Sequence, residues 1–173
     1  MDAPEHPAGA YAAEEGYGPP RRAELVAVIA DAPAALRDVV AGLADDQLDV
    51  RYKNWTVRQI VHHLADSHVN SYIRFKWALT EELPTIKAYD EGRWAALDDS
   101  RTGDVHAPLA LLEALHVRWV QLLRTLRDAD FGRCFLHPET GQTVSLRAAL
   151  CYYAWHCRHH TAQIHWLREQ HGW

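Results

Sequence analysis

Leu150-Cys151-Tyr152-Tyr153-Ala154-Trp155-His156-Cys157-Arg158-His159-His160-Thr161-Ala162-Gln163-Ile164 is the stretch on which the fold turns. At about 100° per residue, a helix here gathers Leu146, Ala149, Tyr153, Cys157, His160, Ile164 and Leu167 on one stripe, with His156 on its near flank. Two imidazoles thus stand where the pattern calls for apolar side chains. Their i, i+4 spacing stacks them one turn apart, about 6 Å along the axis, so both rings can converge on one ion. Burying an unpaired imidazole costs on the order of 1–3 kcal/mol, so two inward rings call for a compensating partner. A bound cation is such a partner.

Working outward, Ser145 reads as the N-cap of this last helix, which the pattern carries to about Gly172. Before it, Cys134-Phe135-Leu136 and Gln142-Thr143-Val144 flank Pro138 to Gly141 and predict a small hairpin. A third helix, roughly Pro108 to Arg127, shows Leu112, Leu115, Trp119, Leu122, Leu123 and Leu126 at heptad-like spacing. A second opens on the capping box Thr56-Val57-Arg58-Gln59 and runs to about Glu82, where Pro84 stops it. Its apolar stripe holds Val57, Ile60, Leu64, Ser71, Phe75 and Ala78, with His63 on the flank.

Between these two helices, residues 83–107 form a long connection with a short helix expected around Glu91 to Leu97. In a bundle a connection of this length is a crossover, so the second and third helices are expected to run in the same direction. A first helix spans about Arg22 to Leu43 on Leu25, Ile29, Leu36, Val39 and Leu43, with Pro33 predicted to kink or restart it. Residues 1–20, broken by proline and glycine, are expected to form an extended N-terminal arm that anchors along the bundle through Tyr11 and Tyr17. The fold class is therefore all-α: a four-helix bundle with one metal-binding domain over residues 21–173.

The 173-residue chain can fill a single core at 48% hydrophobic content. No apolar run approaches the roughly 18 residues of a membrane span, and the N-terminus reads as no secretory signal, so a soluble cytoplasmic protein is expected. Cys134, Cys151 and Cys157 are odd in number and lack CxxC spacing, so neither a disulfide framework nor a thiolate zinc site is indicated. A net charge of −5 excludes the dense basic surface that nucleic acid binding requires. Serine hydrolase, zincin and nucleotide-binding readings find no GxSxG, HExxH or phosphate loop.

A catalytic metal site wants three protein ligands and one open position. His156 and His160 supply two, and His63 is the best third, with His62 weaker and His116 in reserve. A single inward histidine is more often a hydrogen-bonded core residue; three able to converge tip the balance toward a metal. Asp66, one turn beyond His63, is a candidate to orient an imidazole or act as general base. His159 is read as a rim or surface residue, and His6, His68, His106, His137, His165 and His171 as facing solvent or loops. Trp55, Tyr153 and Trp155 read as packing aromatics, and Arg58 and Arg74 as surface cations that could hold an anionic substrate.

Trp55-Thr56-Val57-Arg58-Gln59-Ile60-Val61-His62-His63-Leu64-Ala65-Asp66-Ser67-His68, Tyr72-Ile73-Arg74-Phe75 and Tyr153-Ala154-Trp155-His156-Cys157-Arg158-His159-His160 resemble the DinB/YfiT-like superfamily, and within it the YfiT-type metal-dependent hydrolases. The likeness also takes in Pro7-Ala8-Gly9-Ala10-Tyr11, His137-Pro138 and Gly172-Trp173. It implies a cytoplasmic homodimer of four-helix bundles that acts on a small-molecule substrate. One divalent metal per chain, zinc first and nickel second, would be held by His63, His156 and His160. Related bundles implied by the same resemblance use the metal to activate a low-molecular-weight thiol of the bacillithiol or mycothiol type. A bundle whose metal only clamps helices together is the non-catalytic alternative. Both catalytic readings share one step: the cation lowers the pKa of a bound water or thiol.

Overall fold

A computed structural model describes residues 2–12 and 17–173. Its long helices are α1 (Pro19–Val40), α3 (Val57–Thr80), α6 (His106–Thr125) and α7 (Leu146–His171), with α2 (Asp45–Leu48), α4 (Glu91–Ala95) and α5 (Asp98–Thr102) as short connecting turns. Two antiparallel hairpins complete it: β1 (Arg51–Tyr52) with β2 (Trp55–Thr56), and β3 (Cys134–Leu136) with β4 (Thr143–Ser145). The second hairpin matches the sequence expectation. The first is turned at Lys53, with a positive φ of 53°.

Local chemistry explains the helix ends. Pro19 and Pro20 open α1, where their missing N–H groups cost nothing, so the helix begins two residues inside the expected arm. It continues through Pro33 as one element instead of restarting there. The Thr56 hydroxyl accepts from Gln59 N at 3.1 Å while Gln59 Oε1 accepts from Thr56 N at 2.9 Å, which is the expected capping box of α3. Ser145 caps Ala148 N, and Gly172, at φ 70°, ends α7 in the left-handed region.

Cross-contacts give the helix directions. His68 meets His116 and Phe75 meets Trp119, so α3 and α6 are parallel, as the crossover requires. His63 meets His160 and Ser67 meets Tyr153, so α3 and α7 are antiparallel. Ile29 meets His116 while Arg37 meets Glu113, setting α1 antiparallel to α6. Tyr17 lies under Arg147 and Arg168 reaches Val39, so α1 and α7 run together. The order is up, down, down, up, with α1 against α6 and α7, and α3 against the same two.

The interior is layered along the bundle axis. One apolar cluster holds Leu25, Phe75, Trp119, Phe131, Leu146 and Leu150; a second holds Leu36, Ile60, Leu64, Leu112, Ile164 and Leu167. Between them along the helices fall His68 on α3, His116 on α6, and His156 and His160 on α7, with His63 on α3 beside Leu64 at the edge of the second cluster, all buried. Part of the expected arm, residues 13–16, lies outside the described residues. Gly9 and Tyr11 of the arm lie on α7: Trp155 Nε1 donates to the Gly9 carbonyl at 2.9 Å, and the Tyr11 ring packs against Tyr152 and Trp155.

Candidate metal centre

Helix pitch sets His156 and His160 one turn apart on α7, and the antiparallel α3 brings His63 against them. His63 Nε2 lies 3.2 Å from His156 Nε2, and His160 Nε2 lies 3.2 Å from that same atom. Ligand-capable nitrogens of all three rings fall within 4.8 Å of one another, and among the described residues no fourth acidic, cysteine or histidine side chain joins the group. Burial pushes His63 down to about 4 and holds His156 and His160 well below the usual imidazole range, with neighbouring rings further opposing charge on the latter two. The rings are therefore neutral, the form that ligates metals.

The remaining nitrogens of His156 and His160 are engaged. His160 Nδ1 donates to Gln163 Oε1 at 2.8 Å, and the Gln163 amide donates in turn to His159 Nε2 at 3.0 Å. His156 Nδ1 lies 3.2 Å from His68 Nε2, His68 Nδ1 lies 2.7 Å from His116 Nε2, and His116 Nδ1 lies 2.6 Å from the Ile29 carbonyl. The Trp55 ring covers His63 at 4.4 Å and stacks on His160 at 6.2 Å.

Two sequence readings of these residues are corrected. His68, expected at the surface, is fully buried, because it stands four residues after Leu64 and three before Ser71 on the same stripe. That spacing was the available signal. His159, expected at the rim, is also buried, stacked on Trp155 at 4.6 Å. His116, the reserve ligand, points both nitrogens away from the trio. His62 lies on the other side of α3, where Asp99 and Gly103 are its neighbours.

Asp66 is half-buried, and no hydrogen bond joins its carboxylate to the trio. Burial first, then the nearby Asp99, raises its pKa to about 6. Arg58 is no surface cation. It is buried and ties α3 to α2 through Asp49 at 2.9 Å and Asp45 at 3.1 Å, and to the end of α5 through the Gly103 carbonyl at 2.9 Å. Arg74 instead borders a cavity of about 860 Å³, with its guanidinium 5.9 Å from the Tyr89 ring. Tyr89, His137, Tyr152 and Tyr153 share that cavity, and His156 forms part of its wall.

A bundle that gathers three neutral imidazoles nitrogen to nitrogen between two antiparallel helices defines a class, the helical bundles with an interior histidine site. The chain belongs to the DinB superfamily, whose family model matches residues 6–164. It is 48% identical over 97% of its length to YfiT of Bacillus subtilis strain 168, a proposed metal-dependent hydrolase, covering 96% of that protein. A proposed metal-dependent hydrolase of Bacillus licheniformis is 43% identical, covering 100% of this chain and 99% of the relative. The solved structure of Bacillus subtilis YfiT, described as a four-helix bundle of unusual topology, superimposes with a TM-score of 0.93 over 97% of each chain at 48% identity.

Proposed function

We propose that this chain is a metal-dependent hydrolase of small molecules in which His63, His156 and His160 hold one divalent cation, zinc before nickel. The contact between His156 and His160 carries the reading. Hydrogen bonds at both Nδ1 atoms leave both Nε2 atoms presenting lone pairs to each other at 3.2 Å. Two such lone pairs repel in a buried site, and a cation between them converts the repulsion into bonding. A tetrahedral ion at about 2.0–2.1 Å from each nitrogen would hold them about 3.3 Å apart, close to the separation seen.

Three protein ligands beside a cavity fit a catalytic centre better than a structural clamp, which closes with four. When bound, a divalent cation supplies Lewis acidity that makes a water or thiol nucleophile available near neutral pH. Trp55 shields the trio from solvent on one side, and Arg74 offers a cation within the cavity. Asp66 is the proposed proton acceptor, since a pKa near 6 suits general base work at neutral pH. Homodimerisation and a cytoplasmic location are part of the same proposal, supported by family membership.

Wild-type protein is expected to take up one zinc per chain, and His160→Ala none, with loss of activity on a panel of ester and amide electrophiles. Full activity without metal would end the reading. Activity that requires added bacillithiol, mycothiol or glutathione would move it to thiol transfer.

A further inference from the structure

We propose that His68 and His116 are positioning residues, forming with the Ile29 carbonyl a one-way chain of hydrogen bonds that keeps the His156 Nε2 lone pair aimed at His63 and His160. The proposal rests on the metal reading above.

The chain starts in the sequence of α1. A helical carbonyl normally accepts from the N–H four residues on, and four residues after Ile29 stands Pro33, which has none. The Ile29 carbonyl is therefore left without its helical partner in the interior, and His116 Nδ1 fills the vacancy at 2.6 Å. A carbonyl oxygen only accepts, so the His116 proton sits on Nδ1 and its Nε2 carries a lone pair. That lone pair, 2.7 Å from His68 Nδ1, requires the His68 proton on Nδ1 in turn. His68 Nε2 is then an acceptor 3.2 Å from His156 Nδ1, which must be the donor. The His156 Nε2 atom is left unprotonated, facing the other two rings.

Reversing any ring sets two N–H groups or two lone pairs against each other in a buried interior. His68 is fully buried and His116 is 2% exposed. The two rings are also nearly coplanar, 18° apart in plane with centroids at 5.0 Å, as an in-plane N–H···N bond requires, while Trp119 packs edge-on against both. Metal-ligating histidines commonly donate their outer N–H to a carboxylate or a carbonyl. Here two neutral rings carry that role to a carbonyl of a helix that contributes no candidate ligand.

The test reads tautomers directly, by long-range proton–nitrogen NMR of zinc-loaded protein labelled with ¹⁵N-histidine. Nδ1–H is expected at His116, His68 and His156; Nε2–H at His68 would overturn the proposal. His116→Phe removes the acceptor that orients His68 and is expected to weaken zinc binding by about 10–100-fold. Pro33→Ala returns an N–H to compete for the Ile29 carbonyl, and is expected to weaken zinc binding while leaving the melting temperature unchanged or higher. Unaltered zinc affinity in both variants would reduce the two rings to core packing. Wild-type protein that takes up no zinc would overturn the metal reading as well, whereas zinc uptake with the wrong tautomer at His68 would overturn the relay alone.

Discussion

On α6, Leu112, His116 and Trp119 follow one another along the same buried stripe, yet they belong to different kinds of interior. The apolar clusters above and below are held by contacts that have no direction and require only matched volume. In the histidine layer the outer nitrogens of His156 and His160, and both nitrogens of His68 and His116, have partners that fix which end donates. The clusters hold the helices together; the layer uses that rigidity to oppose lone pairs that would otherwise turn apart. If so, damage to the clusters should lower stability and spare the site, and damage to the layer should do the reverse.

The largest expected effect comes from the clusters. Leu25→Ala deletes a buried side chain of the first apolar cluster and should cost about 2–5 kcal/mol by urea unfolding, with zinc stoichiometry intact. Zinc lost from a variant that remains folded would show that layer and cluster are not separable.

Acid should find the layer. His63 and His116 are each pushed down to about 4 by burial, below the ordinary value of 6.5 that the unfolded chain recovers. As pH falls from about 7 the unfolded state takes up protons first, so the metal-free protein should lose stability down to about pH 4 and little more below it. Each ring contributes on the order of 3 kcal/mol. Unfolding midpoints at pH 7.5, 5.5 and 4.5 measure this, and a flat profile would mean that the rings are not held neutral.

A smaller change sharpens the contrast at the edge of the layer. Asp66, raised to about 6, favours folding only while protonated, below its unfolded value near 3.8, and loses that contribution as pH rises through 6. Asp66→Asn should therefore stabilise the protein at pH 7.5 by about 1 kcal/mol after screening at this half-exposed site, and not at pH 3.5. Turnover should fall in the same variant, separating what the carboxylate does for catalysis from what it does to the fold.

Much of this was legible in the sequence. Periodicity gave the four long helices to within three residues at each end, because each buries one stripe against two neighbours. The capping residues Thr56 and Ser145 marked starts that propensity alone would have blurred. His63, His156 and His160 could be grouped because i, i+4 spacing and an inward flank are properties of a single helix. The relay could not be found in that way. It needs His68 on α3, His116 on α6 and a carbonyl on α1 at one level, and the levels of different helices are set by packing. Pro33 illustrates the difference: the sequence marks it as a helix breaker, while the fold makes its missing N–H an opening for His116.

The up, down, down, up order has a consequence for how the protein is made. The apolar side of α1 is covered on one flank by α6 and on the other by α7, so on the ribosome the first helix to emerge waits for the last. Until Leu146 to His171 leave the exit tunnel, Leu25, Ile29 and Leu36 have only half their shelter, and nascent chains stalled before that point should be the ones that recruit chaperones.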